Sequence, residues 1–385
     1  PDPLPPVDAP LRAVVADAEA VTNVLFSSGT TGQPKAIPWT HLTPIKAAGD
    51  GWAHHDIHPG DVVAWPTNLG WMMGPWLIYA SLLNGAAIAL YEGDPSSAGF
   101  CRFVQDAGVT MLGVVPSLVR AWRARDATAG LDWSSIRCFS STGEASRFDD
   151  MLWLMSRAGY RPVIEYCGGT EIGGGYITGS LLQPQAPACF STPAVGAALL
   201  LIDDDGRFVD DVGEGEVALV PPQLGSSNRL LNRDHFDVYF AGMPEGPDGR
   251  RLRRHGDRLA RLPGGFYRAM GRMDDTMNLG GIKVSSAEIE RACASAVELD
   301  ACAAVAVPPP GGGPEQLVIF AVPAAGAPTD PATLAAAFQQ SIRAGLNPLF
   351  KVAAVHVRSS LPRTASGKVM RRVLRQQLID AQQAD

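Results

Sequence analysis

An apolar run at 21–27 leads straight into Ser28-Gly29-Thr30-Thr31-Gly32-Gln33-Pro34-Lys35, and this strand-to-loop junction limits the fold more than any other feature of the chain. Glycines let the backbone turn tightly and aim its N–H groups at one place. Hydroxyls and a lysine add donors and charge, a combination suited to phosphate oxygens. A polar surface loop has the same spacing, so both readings stand at this point. A Walker A loop does not fit, because no Gly-Lys-Ser/Thr closes the segment, and a P-loop kinase is disfavoured.

From the loop to about residue 196, apolar strand candidates at 61–66, 86–91, 110–115 and 137–140 alternate with helix candidates at 100–107 and 117–125. Alternation of this kind predicts parallel α/β layering. Beyond 196, short strands at 199–202, 215–220 and 266–269 sit between Asp-Gly and Pro-rich turns, as in a small β-rich subdomain. Farther on, Ser285-Ser286-Ala287-Glu288 reads as a capping box, followed by Ile289, Ala292, Cys293 and Ala296 at helical spacing. Strand candidates at 301–307, 316–322 and 353–357 complete an α+β unit, with 308–314 as a turn inside it. The expected divisions are 1–20 as linker or truncation remnant, 21–196 as an α/β portion, 197–273 as a β-rich subdomain and 274–385 as a C-terminal α+β domain.

The chain has 385 residues, 46% of them hydrophobic, enough for a large core, and a net charge of -7. Phosphate-neutralising nucleic-acid binders show the opposite balance, so small-molecule partners and no nucleic acid are expected. Six cysteines without a Cys-x-x-Cys pair argue against structural zinc and a disulfide framework. His41, His54, His55, His58, His235 and His356 show no metal spacing and read as structural. His255 beside Asp257 leaves a surface turn or a metal pair open. No apolar run is long enough to span a bilayer, no secretory signal opens the chain and no peroxisomal tripeptide ends it, so the cytoplasm is the default expectation. The missing initiator Met suggests sequence upstream, and the oligomeric state is left open.

The loop at 27–35 resembles the phosphate loop of the adenylate-forming superfamily of acyl-CoA synthetases, luciferases and peptide-synthetase adenylation domains. Further motifs follow in that family's order. Ser141-Thr142-Gly143-Glu144-Ala145 resembles the adenine-contacting segment. Glu165-Tyr166-Cys167-Gly168-Gly169-Thr170-Glu171 resembles the motif whose Thr touches the α-phosphate and whose Glu helps hold magnesium. Arg254-His255-Gly256-Asp257 resembles the ribose-binding aspartate motif, and Gly271-Arg272-Met273-Asp274-Asp275 the ribose-binding arginine with the hinge at Asp274. Arg363-Thr364-Ala365-Ser366-Gly367-Lys368 is similar to the catalytic-lysine loop. The runs 168–175 and 277–286 resemble the acetyl-CoA-synthetase-like branch, especially plant acyl-activating enzymes.

That resemblance implies layered, mostly parallel sheets of a partial N-domain, a small β-rich subdomain and a mobile C-terminal α+β domain. It implies an enzyme that uses ATP and Mg2+ to turn a carboxylic acid into acyl-AMP, and then passes the acyl group to coenzyme A. Nucleotide contacts are expected from Ser27, Ser28, Gly29, Thr30, Thr31, Gly32, Lys35, Gly143, Glu144, Ala145, Glu165, Tyr166, Cys167, Gly168, Gly169, Thr170, Asp257, Arg272, Lys283 and Lys368. Catalysis is expected from Lys368, Thr170 and Glu171, with Glu171 on the metal. Gly280 and Gly281 would leave room for the pantetheine arm. Without the family, Lys368 reads as a solvated lysine opening a helix whose apolar face is Met370, Val373, Leu374 and Leu378, with Arg371, Arg372 and Arg375 on its outer face.

Relatives carry a substantial segment before the phosphate loop, so a fragment with an apolar exposed surface is expected here. Trp71, Met72, Met73 and Gly168 would line the acyl pocket. Gly168 stands where acetate-specific relatives close the pocket with tryptophan. An acid larger than acetate is therefore expected, and Gly168→Trp would shift preference back to short acids. The alternative reading of Gly168 is backbone conformation. Two functional alternatives also stand: delivery to a carrier-protein thiol, and a non-catalytic nucleotide-binding remnant.

Overall fold

The computed structural model describes residues 13–27, 34–279, 282–309, 315–363, 367 and 369–384, with the backbone alone at 274, 276, 278, 283, 383 and 384. Strands β1 (Val21–Ser27) and β2 (Lys35–Thr40) form an antiparallel pair in which Ser27 lies opposite Lys35. The two ends of the glycine-rich loop are thus held side by side, while 28–33 lie outside the described residues. Helix α1 (Leu42–His55) follows and packs against α2 (Met73–Leu82).

The α/β alternation expected from the sequence is present. Strands β3 (Val62–Ala64), β4 (Ala87–Ala89), β5 (Met111–Val114), β6 (Cys138–Ser141) and β7 (Val163–Glu165) form one parallel sheet in the order β4-β3-β5-β6-β7. Helices α3 (Ala98–Asp106), α4 (Pro116–Ala124) and α5 (Phe148–Ser156) supply the layer built around Phe100, Trp122, Trp133 and Phe139. A second core around Trp65, Trp76, Leu77 and Tyr166 joins the sheet to α1 and α2. Gly113 makes this packing feasible, since a Cβ there would lie 1.9 Å from the Trp65 ring. In open parallel sheets, ligands gather beyond the carboxyl ends of the strands. The chain leaves β6 into residues 142–145 and leaves β7 into residues 166–171, so two of the motifs occupy that rim.

Antiparallel pairing then takes over. Strands β8 (Cys167–Gly169), β9 (Gly174–Thr178) and β10 (Thr192–Pro193) form a small sheet. Strands β11 (Leu199–Ile202), β12 (Gly213–Leu219), β13 (Arg253–Arg261) and β14 (Tyr267–Arg272) form a four-stranded one, with the short helix α6 (His235–Tyr239) between β12 and β13 in sequence. Leu201, Val217, Leu219 and Leu259 pack from it onto Ile172, Tyr176 and Ile177.

In the last part, β15 (Thr276–Leu279) and β16 (Ile282–Ser285) pair and lead into α7 (Ser286–Ala296). The capping box read from the sequence is formed: Ser285 Oγ accepts from the Glu288 backbone, and the Glu288 carboxylate accepts from the Ser285 N–H. Strands β17 (Leu299–Val307), β18 (Gln316–Pro323) and β19 (Val352–Val357), with α8 (Pro331–Gly345) and α9 (Arg371–Ala384), complete the chain. Phe338, Ile319 and Leu317 centre one face of that sheet, and Phe320 and Leu374 the other. Among the described residues, no helix is long and apolar enough to cross a membrane.

Candidate active site

Two hydrogen bonds lock the motif after β6 to the motif after β7. Tyr166 N donates to Ser141 O at 2.8 Å and Thr142 Oγ1 donates to Tyr166 O at 2.5 Å. Gly143 and Ala145 are exposed on the rim, while the Glu144 carboxylate accepts from Ser117 N and Oγ, both at 3.1 Å. Arg363, from the loop that leads to Lys368, places Nη1 3.7 Å from Glu144 Oε1. Lys368 itself lies outside the described residues, as do Gly280 and Gly281, and the side chains of Asp274 and Lys283 are not described.

The motif ending in Thr170-Glu171 is held from several sides. Trp39 Nε1 donates to Thr170 O at 2.7 Å, and Ser227 N donates to Glu171 O at 2.8 Å. Burial alone would raise the Glu171 carboxyl, but Lys35, His255 and Arg253 outweigh it and hold it at about 2. Glu171 is therefore a buried, ionised carboxylate with Lys35, His255 and Arg253 around it. Lys35 Nζ and the Arg253 guanidinium both lie over the Tyr239 ring, at 4.9 and 4.4 Å from its centroid.

Beside this cluster, Asp257 on β13 stands opposite Arg272 on β14, and Arg272 Nη1 donates to Asp257 Oδ1 at 2.9 Å. Tyr176 Oη donates to Asp257 Oδ2 at 2.9 Å, and His255 Nε2 lies 3.1 Å from the same oxygen. Burial opposes ionisation of Asp257, yet His255, Arg272 and Tyr176 hold its carboxyl far below the carboxylate range. Gly256 sits at φ +86°, a backbone conformation that strains any L side chain, and a Cβ there would also press on Arg272 Nη2 at 2.8 Å. His255 Nδ1 also lies 4.0 Å from Glu171 Oε1, so one imidazole sits between the two carboxylates. Among the described residues, no group of three His, Cys, Asp or Glu is placed to hold a metal by itself, so the His255–Asp257 metal pair weighed from the sequence gains no third ligand.

The arrangement thus gathers Lys35, Thr170, Glu171, Asp257 and Arg272 on one rim, with hard-oxygen, hydroxyl-accepting and phosphate-attracting groups side by side. The chain matches the AMP-binding enzyme family over residues 3–226 and the AMP-binding enzyme C-terminal domain over residues 288–368. It belongs to the AMP-binding enzyme family. It is 60% identical over 367 residues to a probable peroxisomal acyl-activating enzyme 17 of Arabidopsis thaliana, covering 94% of this chain and 51% of that protein. It is 58% identical over 364 residues to a hexanoyl-CoA synthase of Cannabis sativa, covering 93% and 50%. The chain thus spans about half the length of these curated relatives. A solved anthranilate CoA ligase in complex with anthranoyl-AMP shares the fold, with a TM-score of 0.79 and 23% identity over 96% of this chain and 70% of that one.

Several residues expected to contact nucleotide in this AMP-binding enzyme face elsewhere. Tyr166 is 1% exposed, with its ring in the core and its hydroxyl bonded to Asp50 and Trp76. Glu165 is buried too, with Oε2 accepting from Ser146 Oγ at 2.8 Å. Cys167 lies half-buried, with Sγ 3.5 Å from Tyr176 Oη and from Asp257 Oδ2. Gly168 is not an open wall of an acyl pocket: a Cβ there would fall 1.9 Å from Gly174 O on the paired strand β9. Its bareness answers a backbone contact, so the expected exchange of Gly168 for Trp cannot simply fill a pocket. Met73 belongs to the core around Trp65 and Trp76, Met72 packs between two clusters, and Trp71 is partly exposed. The α9 arginines form less of an outer face than expected: Arg371 bonds both Asp275 and Glu290, and Arg375 bonds Ala306 O and Glu315.

Glu165 gives a pH test. Burial pushes its carboxyl up from 4.5 to about 8. The folded chain therefore holds this proton more tightly than the unfolded one. The stabilisation is complete below about pH 4.5 and is lost as pH rises toward 8. Glu165→Gln should leave the melting temperature nearly unchanged near pH 4.5 and raise stability at pH 8 by about 4 kcal/mol, at roughly 1.4 kcal/mol for each pH unit through which the carboxyl is raised. Thermal melts of both proteins across that range check it; parallel curves would mean that Glu165 does not titrate as its burial demands.

Proposed function

We propose that this chain carries the adenylating site of an acid–thiol ligase: acid and ATP give acyl-AMP and pyrophosphate, then acyl-AMP and coenzyme A give acyl-CoA and AMP. The observation that supports it most is the convergence of Glu171, Asp257, Arg272 and Lys35, in a family member whose relatives bear acyl-activating and hexanoyl-CoA synthase names. Carboxylate attack at the α-phosphorus brings two anions together, so the site must neutralise charge and fix an in-line approach. Glu171 suits Mg2+, being an ionised, buried oxygen ligand, and the metal would neutralise phosphate charge. Asp257 accepts from ribose hydroxyls, Arg272 orients the carboxylate, and Lys35 draws the outer phosphates. Lys368 closes on the developing charge between the acid and the α-phosphate.

The division of the chain at 196/197 and 273/274, with a hinge at Asp274, belongs to the same reading. The four-stranded antiparallel sheet that opens with β11 at Leu199 and closes with β14 at Arg272 supports it. The acid is larger than acetate, a reading supported by the hexanoyl-CoA synthase likeness rather than by Gly168. Trp71 and Met72 remain its apolar lining, and the cytoplasm remains the proposed location.

The test is pyrophosphate release with ATP and Mg2+ across straight-chain acids from acetate to decanoate, plus benzoate. Product analysis follows, with free coenzyme A and a phosphopantetheinylated carrier as rival acceptors. The expected result is magnesium-dependent release that is at least tenfold more efficient with a six-carbon acid than with acetate. Each buried methylene is worth about 0.8 kcal/mol, so four of them supply that factor with room to spare. Acylation of the carrier alone would reverse the acceptor, and no release with any acid would refute adenylation by this chain.

A further inference from the structure

Beside the core residue Ala47, helix α1 turns a row of polar residues toward the protein interior. Thr43, Lys46, Asp50 and His54 fall on one face at three- and four-residue spacing, and all four are buried. Lys46 and Asp50 are fully buried and paired at 2.7 Å. A buried ion pair is a poor source of stability compared with apolar side chains of the same volume. Its presence here points to a task that apolar residues cannot perform.

The remaining partners of the pair supply that task. Asp50 Oδ2 accepts from the Tyr166 hydroxyl, just before β8, and from Gly175 N in β9 at 2.9 Å. One carboxylate oxygen thus grips both stems of the segment 167–174, which carries Thr170 and Glu171. Trp76 Nε1 donates to Tyr166 Oη at 2.9 Å and fixes that hydroxyl from the other side. Lys46 Nζ donates to Val195 O at 2.7 Å, so the cation is anchored as well. The run Gly173-Gly174-Gly175 admits the helix: added Cβ atoms would lie 2.1 Å from Thr43 Cγ2, 2.6 Å from Asp50 Oδ2 and 2.6 Å from the Tyr166 ring, respectively. Asp56, His58 and Trp52 lie on or just past the outer side of the same helix and do not enter the network.

We propose that Asp50, held by Lys46, is a positioning residue that clamps the two stems of the Thr170–Glu171 segment through Tyr166 Oη and Gly175 N. The proposal rests on the reading that Thr170 and Glu171 serve the phosphate and its magnesium. It assigns those residues' placement to a helix that carries none of the residues expected at the nucleotide or the acid.

The experiment compares Tyr166→Phe and Asp50→Asn with the wild type by calorimetric titration, once with ATP and Mg2+ and once with AMP without metal. Amide hydrogen exchange of segment 167–174 is followed in parallel. Expected are at least tenfold faster exchange in that segment, unchanged exchange in β5, at least tenfold weaker binding of magnesium-ATP and a smaller loss for AMP, which keeps the α-phosphate contact of Thr170 but not the metal at Glu171. A purely structural role would lower the melting temperature and leave the ratio of the two affinities unchanged, which overturns the proposal. Unchanged protection of 167–174 overturns it as well. If Tyr166→Phe does not fold, Asp50→Asn, which keeps the volume and one acceptor, is read alone. Should the wild type bind no magnesium-ATP, the adenylation reading fails, and the exchange measurement decides the clamp separately.

Discussion

Lys368→Ala should abolish acyl-AMP formation while leaving thioester formation from supplied acyl-AMP nearly intact. Attack by a carboxylate on a phosphate accumulates negative charge at the point of contact, and a cation placed there acts mainly in the transition state. Removing a charge-stabilising donor of this kind costs about 3–4 kcal/mol, or roughly a hundredfold to a thousandfold in rate. The second step breaks the mixed anhydride with a thiol and releases AMP, and it needs no cation between acid and phosphate. A split between the steps is therefore expected. It is measured as pyrophosphate release on one side and as acyl-CoA formed from synthetic acyl-AMP on the other. Equal loss in both assays would make Lys368 a structural residue. Equal retention would move the adenylating charge to Lys35 or Arg253, the two cations already gathered at Glu171.

The sequence displayed the parallel sheet because its inner strands are buried on both faces and read as short apolar runs; β5, for one, is buried throughout. It displayed the start of α7 because a capping box is local chemistry between residues three apart. The motifs were legible for a similar reason: each carries a residue type that its proposed chemistry cannot replace. Side-chain direction was less legible. Tyr166 stands two residues before the first glycine of its motif, yet its ring enters the core, and its hydroxyl meets Asp50, 116 positions away in sequence. The Lys46–Asp50 pair was invisible because a Lys and an Asp four apart normally mark a solvated helix face. Only the packing of α1 under β9 reveals them as interior. Tyr176 and Arg253 were not legible as partners of the site carboxylates, since each meets its carboxylate only where separate elements pack together, and His255, weighed with Asp257 alone, meets Glu171 in the same way.

The same distinction between local and distant causes changes what substitution of Gly168 should do. If the missing side chain opened a pocket, a larger residue would trim the range of acids and spare the reaction. In the structure, Gly168 pairs with Gly175 across β8 and β9, and the direction that a Cβ would take is blocked by Gly174 O at 1.9 Å and by the Gly175 Cα at 2.9 Å. Neither obstacle is the end of a flexible side chain. Even Gly168→Ala must push the strands apart, and forced overpacking typically costs about 1–3 kcal/mol. Here the displacement also strains the Asp50–Gly175 hydrogen bond and shifts Thr170 two residues away. Both Gly168→Ala and Gly168→Trp should therefore lower adenylation of every acid by about a hundredfold, as an ångström-scale misplacement of reacting groups does. The relative efficiencies of acetate and hexanoate should stay as they are in the wild type. Pyrophosphate-release kinetics across the acid series, with melting curves to correct for the folded fraction, measure both quantities. An alanine variant of wild-type activity, or a tryptophan variant that turns over acetate normally while rejecting hexanoate, would restore Gly168 to the acyl pocket.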